Sequence, residues 1–198
     1  MRDKIILTDA DGVMLDWEFS FTQWMKRHGH FPVRTDCYSM GKRYNMSGEE
    51  ALRYIREFNS SANIGFIPPL RDSIKYIRKL HEEHGFIFHC ITSVSEDPHA
   101  KRLREQNIHN LFGVTPFERI VCLDTGAPKH DVLKEYEGSD CFWIEDMIDN
   151  AQAGLEAGLD PILMSHEHNT DRDHPEFTVV KNWREIYDIV VGETNDWP

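Results

Sequence analysis

The most informative segment of the chain is Ile5-Ile6-Leu7-Thr8-Asp9-Ala10-Asp11-Gly12-Val13. An apolar run leads into a pair of aspartates separated by a single residue, and then into a glycine turn. Such a run is typical of a buried strand whose carboxyl end opens into a site. Neighbouring carboxylates repel each other unless a cation or a shared proton relieves them. The motif therefore predicts metal binding or acid–base chemistry at the end of a first strand. The alternative is an Asp-Gly turn with solvated aspartates.

The composition is that of a globular protein. With 198 residues, 40% of them hydrophobic and 28% charged, the chain is long enough for one well-cored domain with a small insertion. The formal net charge of -12 disfavours a nucleic-acid polymer as partner, because neutralising its phosphates requires clustered Lys and Arg. A small phosphorylated substrate stays compatible with this charge, since a metal ion and a single lysine can neutralise it locally.

We expect a cytoplasmic protein without a membrane partner. The cysteines form no C-x-x-C pair, and most of them fall in apolar runs, which predicts reduced core thiols rather than disulfides or zinc ligands. They are Cys37, Cys90, Cys122 and Cys141. Residues 1–4 lead directly into the first strand without the pattern of a signal peptide, and no apolar stretch has the length of a membrane span.

Residues 14–66 are predicted to form a small helical cap inserted after the first strand. One helix is indicated by an apolar stripe with helical spacing, which consists of Trp17, Phe21, Trp24 and Met25. A second helix is indicated by the capping box Ser47-Gly48-Glu49-Glu50. The prolines at 68 and 69 close the insertion. In this interpretation residues 1–13 and 67–192 form the catalytic core, and residues 193–198 form a polar tail.

The core is predicted to be α/β, with a doubly wound parallel sheet. After the prolines, apolar strand-like runs at 86–91, 119–123, 141–144 and 161–164 alternate with helical patterns at 70–80, 98–106, 129–136, 149–157 and 183–191. Repeated strand–helix units imply a parallel sheet with helices on both faces. In such sheets, ligands bind outside the carboxyl ends of the strands.

Polar clusters follow the predicted strands at these carboxyl ends. They are Asp9 with Asp11, Thr92 with Ser93, Lys129, and Glu145 with Asp146. Several carboxylates in one pocket suit a hard divalent cation, for which Mg2+ is the usual occupant. With Mg2+ and Lys129 present, the pocket could hold a phosphoryl group, and Thr92 could donate a hydrogen bond to it. Asp9 could then attack phosphorus while Asp11 moves protons.

The chain resembles the haloacid dehalogenase-like (HAD) phosphohydrolases over nearly its whole length. Their motifs occur in order as Asp9-Ala10-Asp11-Gly12-Val13, Ile91-Thr92, Lys129 and Glu145-Asp146. The resemblance implies that Asp9 is nucleophile and metal ligand, and that Asp11 is an acid/base that binds metal through its carbonyl. It also implies that Thr92 and Lys129 hold phosphate, that Asp146 ligates Mg2+ directly, and that Glu145 does so in the outer sphere. Asp11 argues against the dehalogenase branch, which lacks it.

A narrower resemblance points to the 5'(3')-deoxyribonucleotidases. It rests on the Asp16-Trp17 pair after the first motif and on three further segments, Cys90–Ser93, Ile162–Met164 with His168-Asn169, and Asn182–Ile186. It implies that Trp17 helps to bind a nucleobase, whereas the alternative is that the aromatic residues here form the core of the cap. The residues before Lys129, Gly126-Ala127-Pro128, depart from that family's loop.

Sequence position also decides between candidates for the phosphate-binding lysine and between two interpretations of the segment 165–174. Lys101 and Lys134 rival Lys129 as the phosphate-binding lysine, but Lys101 lies inside a basic helix and Lys134 lies more than a turn into its own. The segment 165–174 contains a His-x-His pattern that could bind zinc. It lacks ordered spacing for a full set of ligands, so the segment is interpreted as a solvated loop beside the site.

Together these patterns predict a Mg2+-dependent phosphomonoesterase that forms an aspartyl-phosphate, with a nucleoside monophosphate as the favoured substrate. Ser93 is included among the phosphate-binding residues because it follows Thr92 at the strand end. A phosphatase for sugar phosphates or other small metabolites is the first alternative. A HAD-like protein that binds a phosphorylated ligand without turnover is the second.

Overall fold

The computed structural model describes residues 4–167, 169 and 176–195. Its strands are β1 (Ile5–Thr8), β2 (Ile87–Ser93), β3 (Phe117–Leu123), β4 (Phe142–Glu145), β5 (Asp160–Met164) and β6 (Thr178–Val180). Its α-helices are α1 (Trp17–Arg27), α2 (Met40–Tyr44), α3 (Gly48–Asn59), α4 (Ser73–His84), α5 (Pro98–Phe112), α6 (His130–Leu133), α7 (Ile148–Glu156) and α8 (Trp183–Asn195). Two 3-10 turns, Ala62–Phe66 and Lys134–Tyr136, complete the described elements.

The strands form a single parallel sheet in the order β3-β2-β1-β4-β5-β6, which confirms the predicted fold class. The first strand is central, and Thr8 pairs with Cys90 on one side and with Ile144 on the other. Because the chain moves outward from β1 to β3 and then returns to the opposite side, the order reverses beside β1. A crevice forms at such a switch point, and the residues after β1, β2 and β4 border it.

Apolar packing fixes the turn that follows β1. Val13, Met14 and Leu15 are fully buried. The buried indole of Trp183, at the start of α8, donates a hydrogen bond to the carbonyl of Val13 at 2.8 Å. The last helix therefore packs against the turn after β1 and bonds to its backbone, which restricts the motion of that turn.

Residues 16–66 carry three α-helices and a 3-10 turn, and no strand was found among them. The segments that enter and leave this region run side by side, since Asp16 N–H donates to the carbonyl of Pro68 and Leu70 N–H to that of Met14. Ser47 Oγ accepts the N–H of Glu50 at 3.1 Å, as the capping box predicts. The helix α2 was not predicted, because its five residues show too little periodicity.

The last helix differs from its prediction. It continues to Asn195, three residues into the segment 193–198 that the sequence assigns to a polar tail, while residues 196–198 lie outside the described residues. Within the part of the chain that is described, no helix combines the length and the apolar character needed to cross a membrane.

Candidate active site

A buried lysine links the carboxylates that follow β1 and β4. Lys129 lies at the start of α6, and its Nζ is 2.8 Å from Asp9 Oδ2 and 2.7 Å from Glu145 Oε2. Its side chain is 2% exposed, and that of Glu145 is fully buried. The other oxygen of Asp9 accepts the N–H of Ala10 at 2.6 Å, which fixes the orientation of this carboxylate. The rival Lys134 is exposed.

The loop after β4 is organised by Glu145. Its Oε1 accepts the backbone N–H groups of Asp146 and Met147 at 3.0 and 3.1 Å, while its Oε2 accepts Lys129. Both oxygens of Glu145 are thus used within the protein, which is compatible with the predicted outer-sphere role. Asp146 is held in place by the same loop and is 7% exposed.

Gly12 lies so close to the carboxylate of Asp146 that a side chain at position 12 would not fit. A Cβ built on Gly12 would lie 2.3 Å from Asp146 Oδ2, and the φ of Gly12 is +75°, a conformation that glycine adopts without strain. The carbonyl of Gly12 is 2.6 Å from Nε2 of His166. The glycine that the sequence interprets as a turn residue therefore also allows the loops after β1 and β4 to touch.

Two residues of the segment after β5 are part of this arrangement. Asn169 is buried and donates to the carbonyls of Asp146 and Met164 at 2.9 and 2.8 Å, and it accepts the N–H of His166. For these residues the interpretation as a solvated loop is wrong, because their polar atoms bond the backbone around the site. Residues 168 and 170–174 of that segment lie outside the described residues.

The electrostatics of the site are those of crowded carboxylates. Burial, together with the negative charges of Glu145 and Asp11, raises the pKa of Asp9 from 3.8 to about 7, although Lys129 opposes this shift. Burial and the charges of Glu145 and Asp9 raise the pKa of Asp146 well above its usual range. Burial would lower the pKa of Lys129, but the same carboxylates raise it, so this lysine stays charged. One lysine does not neutralise the three acids.

The donor set fits a divalent cation. Oxygens of Asp9, Glu145 and Asp146 lie within 4.8 Å of one another, and this is the one such group found in the described ranges. Hard carboxylate oxygens without sulfur or imidazole suit Mg2+ rather than zinc. The hydroxyl of Thr92 is fully buried beside this group and has no hydrogen-bond partner among the described residues. An unpaired buried donor is costly, so an anionic ligand in the crevice would satisfy it.

Asp11 makes a contact that the sequence did not predict. Its Oδ1 and Oδ2 accept hydrogen bonds from Nη1 and Nη2 of Arg104 at 2.6 and 2.8 Å. Arg104 is fully buried on α5, whereas the Asp11 side chain is 21% exposed. The signal was present in the sequence, because Ala100, Arg104 and Ile108 lie at i, i+4 and i+8 on one helix face, which places the arginine among buried residues.

A cavity of about 990 Å³ lies between these loops and the helices of residues 16–66. Ser93 borders it, but its hydroxyl donates to the carbonyl of Ala127 at 2.9 Å and so holds the loop before Lys129. Trp17 also borders the cavity. Its ring stacks on that of Phe21 with 4.6 Å between the ring centroids, and its Nε1 donates a hydrogen bond to Oδ1 of Asn59. Phe19 lines the same cavity and is 53% exposed, so its ring is more accessible than those of its neighbours.

Residues 16–66 contact the loop after β4 through Tyr38, which sequence reasoning missed. Its hydroxyl is 3.0 Å from the sulfur of Met147, in the loop after β4. Although Tyr38 is 51% exposed as a whole, desolvation at its hydroxyl and the charges of Asp146 and Glu145 raise its pKa, so the hydroxyl remains a neutral donor. No periodic pattern identifies Tyr38, since it precedes the short helix α2.

No protein-family model matches the chain. An uncharacterized 32.4 kDa protein of Enterobacteria phage T4, from the Gp30-rIII intergenic region, is 28% identical over 138 residues, which is 66% of this chain but 46% of that protein. The chain therefore spans less than half of this relative.

Solved structures match almost the whole chain. A HAD-superfamily hydrolase from Ehrlichia chaffeensis has a TM-score of 0.63 at 20% identity and covers 97% of this chain and 98% of its own. An L-2-haloacid dehalogenase from Xanthobacter autotrophicus has a TM-score of 0.62 at 14% identity, covering 96% and 98%. A HAD family hydrolase from Deinococcus radiodurans, with bound phosphate and sodium, has a TM-score of 0.61 at 18% identity, covering 98% and 97%.

At identities this low, structural matches establish the fold alone. The narrower resemblance to deoxyribonucleotidases stays a prediction. These matches extend over 96–98% of this chain with TM-scores of 0.61–0.63. The fold of this chain is that of the haloacid dehalogenase-like (HAD) hydrolases.

Proposed function

We propose that this protein is a Mg2+-dependent phosphomonoesterase that forms an aspartyl-phosphate at Asp9. The observation that carries the proposal is the buried group of Asp9, Glu145 and Asp146, in which Lys129 bridges the first two. The hydroxyl of Thr92, which has no hydrogen-bond partner among the described residues, lines the same cavity. Asp9, Asp146 and the backbone around Asp11 would hold Mg2+, with Glu145 in the outer sphere. When bound, Mg2+ supplies positive charge to the phosphoryl oxygens.

The reaction would proceed through two transfers at phosphorus. In the first, an oxygen of Asp9 forms a bond to phosphorus, the bond to the ester oxygen breaks, and Asp11 gives that oxygen a proton. In the second, water attacks phosphorus, loses a proton to Asp11, and the bond to Asp9 breaks. Lys129 and Thr92 would hold the transferred oxygens, where a positive charge and an O–H donor stabilise developing negative charge.

The charge of the site favours a phosphate ester over a haloacid. The three buried carboxylates require a cation before any anion can approach, and a bound divalent cation suits a phosphate ester because hard phosphoryl oxygens can coordinate it. The D. radiodurans neighbour holds phosphate and sodium, which supports the same chemistry. In this proposal residues 14–66 act as a cap over the cavity, and residues 1–13 with 67–192 form the core.

Metal dependence tests this proposal. With 4-nitrophenyl phosphate as substrate, we expect hydrolysis in Mg2+, a loss of about 10²-fold or more with a chelator, and recovery when Mg2+ is restored. Because protons on Asp9 and Asp146 compete with the metal, Mg2+ should raise the melting temperature more at about pH 8 than at about pH 5. Turnover that survives chelation, or turnover of 2-chloropropionate instead of the phosphate, would contradict the proposal.

We propose a nucleoside monophosphate as the favoured substrate and the cytoplasm as the compartment. The cavity has the size of a pocket for a whole small metabolite, and the aromatic residues Trp17 and Phe19 line its cap side. Stacking of a base on an aromatic ring stabilises binding by about 1–3 kcal/mol. The cysteines among the described residues are free, and Cys90, Cys122 and Cys141 are buried, which suits a reducing compartment.

A substrate panel with an aromatic substitution tests the nucleotide. In Trp17→Ala we expect the KM for deoxynucleoside monophosphates to rise about tenfold, while the KM for glycerol phosphate changes less than about twofold. Phe19→Leu is the companion variant, because Phe19 lines the cavity without the hydrogen bond of Trp17 to Asn59. A wild-type preference for sugar phosphates that neither substitution alters would discard base stacking and leave the phosphatase proposal intact.

A further inference from the structure

Arg104 is a buried charged residue, and within the described part of the chain its side chain donates hydrogen bonds to Asp11 alone. It lies on α5, a helix of the core, and its side chain is fully buried. Its Nη1 and Nη2 donate to the two oxygens of Asp11, and its Nε has no hydrogen-bond partner among the described residues. Replacing a buried ion pair by apolar residues is often neutral or stabilising, so the pair by itself is weak support for a stabilising role.

The helix that carries Arg104 is itself held in position. Asn107, one turn further along α5, donates to the carbonyl of Ile67 at 3.0 Å, and Leu103 packs closely against Gly65. The guanidinium therefore projects from a fixed element toward the loop after β1. A two-point contact between planar groups restricts rotation of the carboxylate far more than a single hydrogen bond would.

We infer that Arg104 is the positioning residue for Asp11, which it aims at the ester oxygen of the substrate. The inference rests on the proposed function, in which Asp11 gives that oxygen a proton. The Asp11 side chain is 21% exposed and borders the cavity, while both of its oxygens accept hydrogen bonds from Arg104. Arg104 does not line the cavity, so it would act on the substrate only through Asp11.

The dependence on leaving group separates positioning from a structural role. Proton transfer to the ester oxygen matters for a poor leaving group such as glycerol and little for 4-nitrophenolate, which departs without a proton. In Arg104→Lys, which keeps the charge but loses the two-point contact, we expect kcat/KM for glycerol phosphate to fall about 30-fold or more. For 4-nitrophenyl phosphate it should fall less than about threefold. The ratio kcat/KM reports the first transfer and is blind to later hydrolysis of the aspartyl-phosphate.

The controls use neighbours of the pair. Arg102→Lys, at an exposed position on the same helix, should leave both substrates unaffected. Asp11→Asn should show the same leaving-group pattern as Arg104→Lys, and the double variant should lose less than the product of the single losses. Arg104→Gln, which keeps an amide donor, is assayed with the same two substrates in case Arg104→Lys does not fold.

Three outcomes would overturn the inference. Equal losses for both substrates, or failure of both Arg104 variants to fold, would assign Arg104 a structural role and leave the phosphatase proposal standing. Wild-type protein without activity on any phosphate monoester would instead overturn the proposed function, and the inference with it.

Discussion

Replacing Asp9 by Asn is expected to reduce kcat for 4-nitrophenyl phosphate by about 10³-fold or more, because an amide oxygen is a poor nucleophile. The fold should be retained. Burial raises the pKa of Asp9 from 3.8 to about 7, so the folded protein binds more protons than the unfolded chain, and ionisation of Asp9 costs stability as the pH rises through this range. A neutral Asn of the same shape removes that cost. The melting temperature of the metal-free variant at about pH 8 should therefore lie within about 5 °C of wild type or above it.

The matched control for this variant is Asp131→Asn, in which the same change is made at a side chain that is 97% exposed. It should behave as wild type in both assays. Stopped-flow measurements with wild type should show a burst of 4-nitrophenolate if the aspartyl-phosphate accumulates, and Asp9→Asn should show none. Residual turnover in Asp9→Asn above about a tenth of wild type would sink the nucleophilic role of this residue, even if the protein hydrolyses phosphate esters by another route.

Replacing Lys129 by Met is expected to reduce kcat/KM by about 10²- to 10³-fold, since a positive charge near the transferred oxygens is lost. The substitution also leaves Asp9 and Glu145 buried without their partner, and breaking a buried ion pair in this way destabilises a fold by about 3–5 kcal/mol. Mg2+ supplies part of the missing charge, so the loss of stability should be smaller with Mg2+ than without it. Thermal unfolding with and without Mg2+, alongside the kinetics, measures both effects.

Lys134→Met is the control here, because it removes a lysine of the same helical region from an exposed position. We expect it to alter neither activity nor the melting temperature by a measurable amount. If Lys134→Met lost activity and Lys129→Met did not, the assignment of the phosphate-binding lysine would be reversed. If Lys129→Met were destabilised but fully active when Mg2+ is present, the lysine would be a structural counter-ion only.

The sheet was predictable because its strands are short apolar runs separated by helical patterns. Five of the six strands that the structure describes, β1 to β5, were located with errors of a few residues at their ends. The exception is β6, a three-residue edge strand. Its pairing with β5 decides its existence, and such pairing leaves no local periodicity.

The sequence did not predict which individual side chains of distant elements bond to each other. The bond between Asn169 and the carbonyl of Asp146 joins residues 23 positions apart, and the Arg104–Asp11 pair joins residues 93 positions apart. Residue type and local spacing cannot specify such partners. The buried stripe of α5 could have marked Arg104 as unusual, but nothing in the sequence connects it to Asp11 in particular.

Residue patterns were sufficient to predict the parallel α/β sheet, the insertion after β1, and the acidic, hydroxyl and lysine side chains at the strand ends. These follow from periodicity and from the rule that parallel strands end at one edge. The three-dimensional contacts were needed to show that Lys129 bridges Asp9 and Glu145 and that Arg104 binds Asp11. They also show that the Thr92 hydroxyl has no hydrogen-bond partner among the residues that the structure describes. The reason is physical: the strand order and the packing of α5 set which side chains meet, and both depend on contacts far apart in the chain.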